Sequence, residues 1–229
     1  HQADLLHGIP DLRELGVAVD TAGLDLANSF KKSRLAAEKL SKGVQFLLKK
    51  NSIDYIKAEG RLASPTELVL NGERRIKARS IILATGSRPR ELPGLAFDET
   101  TVLSSTGALA LKTLPKQIAI LGAGAIGMEM GYVWNAFGAE VTIIEAMDRI
   151  LPLEDADAAA LVRKIFEKRS VRFITGAFAS AGSRGPKGLA LDLKPAKEGN
   201  GVDIPSRIEA NAVLVAVGRV PNSTGLGLE

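Results

Sequence analysis

The run Gly122-Ala123-Gly124-Ala125-Ile126-Gly127 follows the apolar stretch Ile118-Ala119-Ile120-Leu121 and opens a helix-like pattern. Glycines at that spacing have separate tasks. Gly122 can make a tight strand-to-helix turn, Gly124 lets the backbone approach a pyrophosphate, and Gly127 lets helix and strand pack closely. The helix start then offers unpaired N–H groups and the positive end of its dipole to phosphate oxygens. Glu145 closes the next apolar run, near the roughly 20-residue spacing at which a carboxylate reaches the hydroxyls of an adenosine ribose. Alone, G-x-G-x-x-G is a weak signal; with strand, helix and acid in place it reads as a dinucleotide site. Against this stand a glycine turn with no ligand and a merely solvated strand-end carboxylate. Glu129 lies early in the same helix, where the dipole favours an acid whatever its use, so its position alone says little.

Much other chemistry is excluded by composition. There is no Cys, and the two histidines are His1 and His7. Thiolate zinc sites, iron–sulfur clusters, disulfides and cysteine nucleophiles are therefore impossible in this chain. A Ser-His-Asp triad or a His-ligated metal would need the terminal segment to fold back over the core, and no metal site is expected. Net charge is +4, but 30 basic and 26 acidic residues are interleaved, and aromatics are 4%. That pattern gives neither a phosphate-tracking stripe nor stacking platforms, so no nucleic-acid partner is expected. The longest apolar stretch, 118–128, carries three glycines and ends at Glu129, short of the roughly 18 residues a membrane span needs. No membrane association is expected.

The elements that must position the glycine turn can be read from periodicity. Residues 24–51 lack Pro and place Leu26, Phe30, Ala37, Leu40, Val44, Leu47 and Leu48 close to helical spacing, with Asp25 as N-cap. Short strands are predicted at 54–58, 67–70 and 79–84, with a turn at Asn71-Gly72, and 88–94 reads as a linker. Beyond Pro115 come a strand at 117–121, a helix at 125–137, a strand at 140–144 and a helix at about 155–168. Further strands are predicted at 171–174, 188–193 and 212–217, with polar loops at 183–187 and 195–205. Strand, helix, strand within about 30 residues is the βαβ unit of a doubly wound, Rossmann-like α/β domain.

Four stretches together resemble the pyridine-nucleotide–disulfide oxidoreductase family, in particular its dihydrolipoamide-oxidising branch. They are Ile81 to Pro89 (IILATGSRP), Gly122 to Gly131 (GAGAIGMEMG), Val141 to Glu145 (VTIIE) and Val217 to Asn222 (VGRVPN). Ser104 to Leu109, followed by Leu114-Pro115, is similar to the family's lead into its NAD domain. His7-Gly8-Ile9-Pro10 and Phe46 to Asn51 add support. The resemblance implies part of a FAD-binding domain at 1–104 and an NAD-binding domain at 105–229. It implies that Gly122, Gly124, Ile126 and Gly127 hold the NAD pyrophosphate and that Glu145 holds its ribose. Ala216, Gly218 and Arg219 would line the nicotinamide end, while Thr85, Gly86 and Gly60 would lie against FAD. The acid matching Glu129 would lie between nicotinamide and flavin.

The resemblance covers nearly the whole chain, which corresponds to about the middle half of a family member. The chain reads as a central fragment. By resemblance, the FAD fingerprint and redox cysteines belong upstream of His1, and the second FAD segment and a dimer domain with a His-Glu pair belong downstream of Glu229. The implied parent is a homodimeric flavoprotein, cytoplasmic or of the mitochondrial matrix. It would oxidise dihydrolipoamide carried on the acyltransferase of a 2-oxo-acid dehydrogenase complex and reduce NAD through FAD. Other enzymes of this architecture, such as mercuric reductase, glutathione reductase and soluble transhydrogenase, and a non-catalytic NAD-binding module, remain alternatives at this stage. The chain alone is expected to lack the parent activity and to self-associate through apolar surface of its first half.

Overall fold

The computed structural model describes residues 1–185, 188–197 and 204–228. Three helices come first: α1 (Gln2–His7), α2 (Ile9–Glu14) and α3 (Leu26–Lys50). Strands β1 (Gly60–Ser64), β2 (Glu67–Leu70), β3 (Arg74–Lys77) and β4 (Ser87–Pro89) follow. Next are β5 (Val102–Leu103), α4 (Ser105–Ala110), β6 (Gln117–Leu121), α5 (Ala125–Ala136), β7 (Glu140–Glu145), α6 (Ala156–Lys168) and β8 (Arg172–Thr175). The described elements end with β9 (Ala177–Gly185), β10 (Gly188–Pro195), β11 (Arg207–Ala210), β12 (Ala212–Val215) and β13 (Arg219–Pro221). They pack as two compact units, one of His1–Lys32 with Pro89–Gly218 and the other of Ser33–Arg88 with Arg219–Glu229.

The larger unit is built on a five-stranded, all-parallel sheet in the order β5-β12-β6-β7-β8. Alternate residues explain its two cores. Ile118, Ile120, Val141, Ile143, Ala212 and Leu214 face one way and pack with Ala108 of α4, Met128 and Trp134 of α5, and Ala159 and Phe166 of α6. Ala119, Leu121, Ile144, Val213 and Val215 face the other way and pack with Leu189, Leu191 and Leu193 of β10 and Ala210 of β11. Because both faces are buried, the strands read as continuous apolar runs rather than alternating ones. The Rossmann-like α/β class is as the sequence predicts. Its second face, however, is covered by the antiparallel sheet β11-β10-β9 instead of further helices. Strand β9 gives no strand pattern in the sequence because Gly, Ser and Arg interrupt it, and β11 is four residues long with a single aliphatic side chain larger than Ala. The predicted loops at 183–187 and 195–205 lie partly outside the described residues.

In the smaller unit β1, β2 and β3 form an antiparallel meander. The Asn71-Gly72 turn is there, with φ of 49° and 79° and the Glu73 N–H donating to the Leu70 carbonyl at 3.1 Å. Its return strand is β3, not 79–84. Residues 54–58 and 79–84 form no strand: neither finds a ladder partner, and Ile82 is 90% exposed. Apolar composition alone does not make a strand without a neighbour to accept its backbone hydrogen bonds. The helix predicted at 24–51 is present as α3, with the Asp25 carboxylate accepting from the Ala27 N–H at 2.8 Å. None of its residues is buried.

One carboxylate organises the approach to the parallel sheet. Asp98 Oδ1 accepts from the N–H groups of Thr100, Thr101 and Val102 at 2.9, 2.7 and 2.8 Å, and its Oδ2 accepts from Arg184 of β9 at 3.0 Å. Burial works to raise its pKa, but the backbone donors outweigh that and hold it well below the usual carboxylate range. A depressed pKa means that the ionised form stabilises the fold above the ordinary carboxylate range, and that this contribution is lost as pH falls through and below it. Asp98→Ala should lower stability by about 1.5–3 kcal/mol, the range for hydrogen bonds to a charged group, and flatten the acid limb of the denaturation profile. Urea midpoints at pH 7 and pH 3 measure both effects.

Candidate functional site

The chain runs from β6 through α5 to β7 and β8 on one side, then returns as β12 on the other side of β6. The connections that leave the carboxyl ends of β6 and β12 therefore diverge at a topological switch point, the place where open α/β sheets bind ligands. A half-open cleft of about 610 Å³ lies there. Leu121, Gly122, Gly124 and Ile126 line it from β6 and α5, Glu145, Ala146 and Met147 from the end of β7, and Ala216, Val217 and Gly218 from the end of β12.

The glycine turn is fixed by close backbone approach. Gly122 has φ of 102°, and a Cβ there would stand 2.5 Å from the Ala216 carbonyl oxygen. At Gly127 a Cβ would stand 2.0 Å from the carbonyl oxygen of Gly122, so the first turn of α5 can fold over the strand end only without one. Gly124 differs, since a Cβ there meets no protein atom within 4 Å. It is the N-cap of α5, and no side chain caps the helix. The first-turn N–H groups thus remain available beside open space, a cradle suited to a phosphate oxygen.

Glu145 is half-buried at the end of β7. Its Oε2 accepts from the Ala123 N–H at 2.7 Å and its Oε1 from the Met147 N–H at 2.9 Å. The carboxylate therefore ties the glycine turn to the strand end, while each oxygen keeps a second acceptor position. These groups could hold a dinucleotide: helix N–H donors and bare glycine for the diphosphate, a fixed carboxylate to accept from vicinal hydroxyls, and an apolar wall for flat rings.

The remaining sequence-predicted residues are distributed as follows. Gly127 lies beneath the turn and is buried; Glu129 is exposed on α5. Gly60, Thr85, Gly86 and Arg219 belong to the smaller unit. There Thr85 Oγ1 donates to the Asn222 carbonyl at 2.7 Å, the Asn222 side-chain amide donates back to the Thr85 carbonyl at 3.0 Å, and the Asn222 N–H donates to the Gly86 carbonyl at 3.0 Å. Arg219 Nε donates to Ser87 Oγ at 2.7 Å, so its guanidinium is engaged by β4. Gly60 borders a shallow groove of β1 and the β2–β3 turn.

His7 does fold back onto the larger unit, its Nε2 donating to the Tyr132 carbonyl at 3.3 Å, with Asp4 accepting from the Tyr132 hydroxyl at 2.6 Å. Burial, and then the Arg169 charge, push the His7 pKa below its usual range. The sequence reading missed Leu92, Met147, Pro152 and Phe178, which complete the cleft wall. Met147, two residues after Glu145, could have been inferred from spacing; Leu92 and Phe178 arrive through tertiary contacts that no local pattern announces.

The crowding at Gly127 sets up a direct test. Gly127→Ala gains helix propensity of up to about 1 kcal/mol. The clash with the Gly122 carbonyl, a backbone atom that cannot swing aside, should cost more than that, on the order of 1–3 kcal/mol or above. A net fall in thermal midpoint is expected, where an unstrained helix would show a rise.

Comparison with known proteins agrees with this geometry. The model of the family described as pyridine nucleotide-disulphide oxidoreductase matches residues 11–229. The chain is 38% identical to a dihydrolipoamide dehydrogenase of Chaetomium thermophilum, over 96% of this chain and 44% of that protein. It is likewise 38% identical to dihydrolipoyl dehydrogenase 3 of Pseudomonas aeruginosa, over 96% of this chain and 47% of that one. Among solved structures, LpdA from Mycobacterium tuberculosis superposes with a TM-score of 0.81 at 24% identity, covering 99% of this chain and 49% of its own, a likeness of fold. The flavoprotein disulfide reductase RclA from Escherichia coli gives a TM-score of 0.70 at 27% identity, over 86% of this chain and 44% of its own. The chain spans less than half the length of these relatives. With the glycine turn, the strand-end carboxylate and the family match over 11–229 in agreement, the chain belongs to the pyridine nucleotide-disulphide oxidoreductase family.

Proposed function

We propose that this chain carries the NAD-binding core, and part of the FAD-binding region, of a dihydrolipoamide dehydrogenase. The observation that supports it most is the convergence of Gly122, Gly124, Ile126, Glu145, Ala216 and Gly218 on one cleft at the switch point of a parallel sheet. In this reading 105–229 is the NAD domain and 1–104 belongs to the FAD domain. The N–H groups at the start of α5 hold the pyrophosphate, Gly124 keeps the space for it, and Gly127 lets α5 approach. Glu145 accepts from the ribose hydroxyls. Ala216, Gly218 and Arg219 line the nicotinamide end. Thr85, Gly86 and Gly60 contribute to the FAD side, and Glu129 is the acid at the nicotinamide–flavin interface.

Bound NAD would supply a hydride acceptor and FAD an electron relay from the dithiol, and this chain's residues would align the rings and exclude water. The substrate is dihydrolipoamide on the acyltransferase of a 2-oxo-acid dehydrogenase complex, and the parent enzyme is a homodimer. The likeness to RclA favours, as a second reading, another flavin-dependent disulfide reductase. Titration calorimetry of the full chain tests the nucleotide assignment. NAD should bind at one site per chain, and absence of binding up to millimolar NAD would remove the basis of the proposal.

A further inference from the structure

Phe178 is the one exposed ring among the described aromatic residues of the larger unit. It is 58% exposed, whereas Trp134 and Phe166 are buried and Phe30, Phe97, Tyr132, Phe137 and Phe173 are partly buried. It occupies an outward position of β9, between buried Ala177 and half-buried Ala179, where the next outward residue is the polar Ser180. The ring borders the cleft. Its place along the cleft is set by two connections. Thr175 pairs in register with Glu145, and the Gly176 N–H donates to the Met147 carbonyl at 2.8 Å. Together they hold the β8–β9 corner against the Glu145 end, away from Ala216 and Gly218, which follow β12 on the other side of β6.

We propose that Phe178 is the platform on which an adenine ring stacks, and that it makes the site selective for adenine nucleotides over nicotinamide mononucleotide. The inference rests on the assignment of Glu145 to the adenosine ribose. A ribose held there leaves its base within reach of the same end of the cleft, and an exposed phenyl ring offers a π-face to it. Base-on-aromatic stacking is worth about 1–3 kcal/mol on removal of the ring, or roughly 5- to 150-fold in affinity. The exposure is also accounted for, since the bound base would cover apolar surface that water otherwise contacts.

The test uses the full chain and its F178A and F178W variants, titrated with NAD, AMP and nicotinamide mononucleotide. F178A should weaken NAD and AMP by the same factor, about 5- to 150-fold, and leave nicotinamide mononucleotide unchanged. F178W should keep NAD and AMP affinity within about threefold, and AMP should quench the new indole emission, since Trp134 is buried and out of contact. Unchanged thermal midpoints confirm that a surface position has been altered. NAD and AMP affinities of F178A equal to those of the parent chain, or an equal loss for all three ligands, would overturn the stacking role while leaving the dinucleotide site intact. Binding of neither NAD nor AMP to the unsubstituted chain would overturn the dinucleotide reading and the stacking role together.

Discussion

The unsubstituted chain is expected to bind NAD about ten- to a thousandfold more tightly than NADP, and Glu145→Ala to remove most of that gap. A 2′-phosphate placed against the Glu145 carboxylate at about 4 Å costs between ~1 kcal/mol in bulk water and ~4 kcal/mol at an effective dielectric near 20. At about 1.4 kcal/mol per decade this spans the stated preference. Arg149, the basic residue that follows in sequence, donates through Nη2 to the Pro152 carbonyl at 2.9 Å, which fixes the position of its guanidinium. Loss of one or two charge-assisted hydrogen bonds should weaken NAD by about 1.5–3 kcal/mol each at most. The same carboxylate also holds the Ala123 and Met147 N–H groups, so part of the effect in Glu145→Ala comes from a loosened glycine turn. Glu145→Gln separates the two contributions: it keeps an acceptor oxygen but removes the charge, so it should narrow the NADP gap while costing NAD less. Calorimetric titration of the three proteins with both nucleotides measures this. Equal affinities in the parent chain would show that Glu145 is not the ribose ligand.

The second large effect is a complete one. Oxidation of a dithiol through a protein relay needs a thiolate and a base, and the chain has no Cys and no His beyond His7. His7 itself is engaged with Tyr132 rather than the cleft. The isolated chain is therefore expected to show no dihydrolipoamide-dependent reduction of NAD, whether or not it binds the nucleotide. Turnover by homogeneous chain at even a thousandth of the rate of a full-length relative, with contaminating enzyme excluded by mass spectrometry, would contradict this.

Much of the site was legible in the sequence because its parts are local. A glycine turn between an apolar strand and a helix, and an acid at the end of the next strand, are fixed by backbone geometry within a single βαβ unit. The structure adds the reason for Gly127, which is the Gly122 carbonyl beneath it. What periodicity could not supply was the return of the chain from β8 to β12. The antiparallel β9–β11 sheet that covers the second face carries Phe178 on β9, a strand broken by Gly, Ser and Arg, while β11 has four residues, too few for its alternation to stand out. The segment 79–84 shows the converse failure: Ile81, Ile82 and Leu83 have strand propensity, but a ladder requires a partner that composition cannot reveal. Arg219 stands next to Gly218 in sequence, yet Ser87, a residue 132 positions away, determines where its guanidinium points.

In the proposed function the start of α5 and the end of β7 form one dinucleotide-binding surface. Amide hydrogen exchange of the full chain with and without NAD tests it most directly. Slowed exchange is expected at the amides of Ala123 to Met128 and at those following Glu145, with the amino-terminal ends of the parallel strands unchanged. Protection that leaves 123–128 untouched, or that appears solely in the smaller unit, would contradict it.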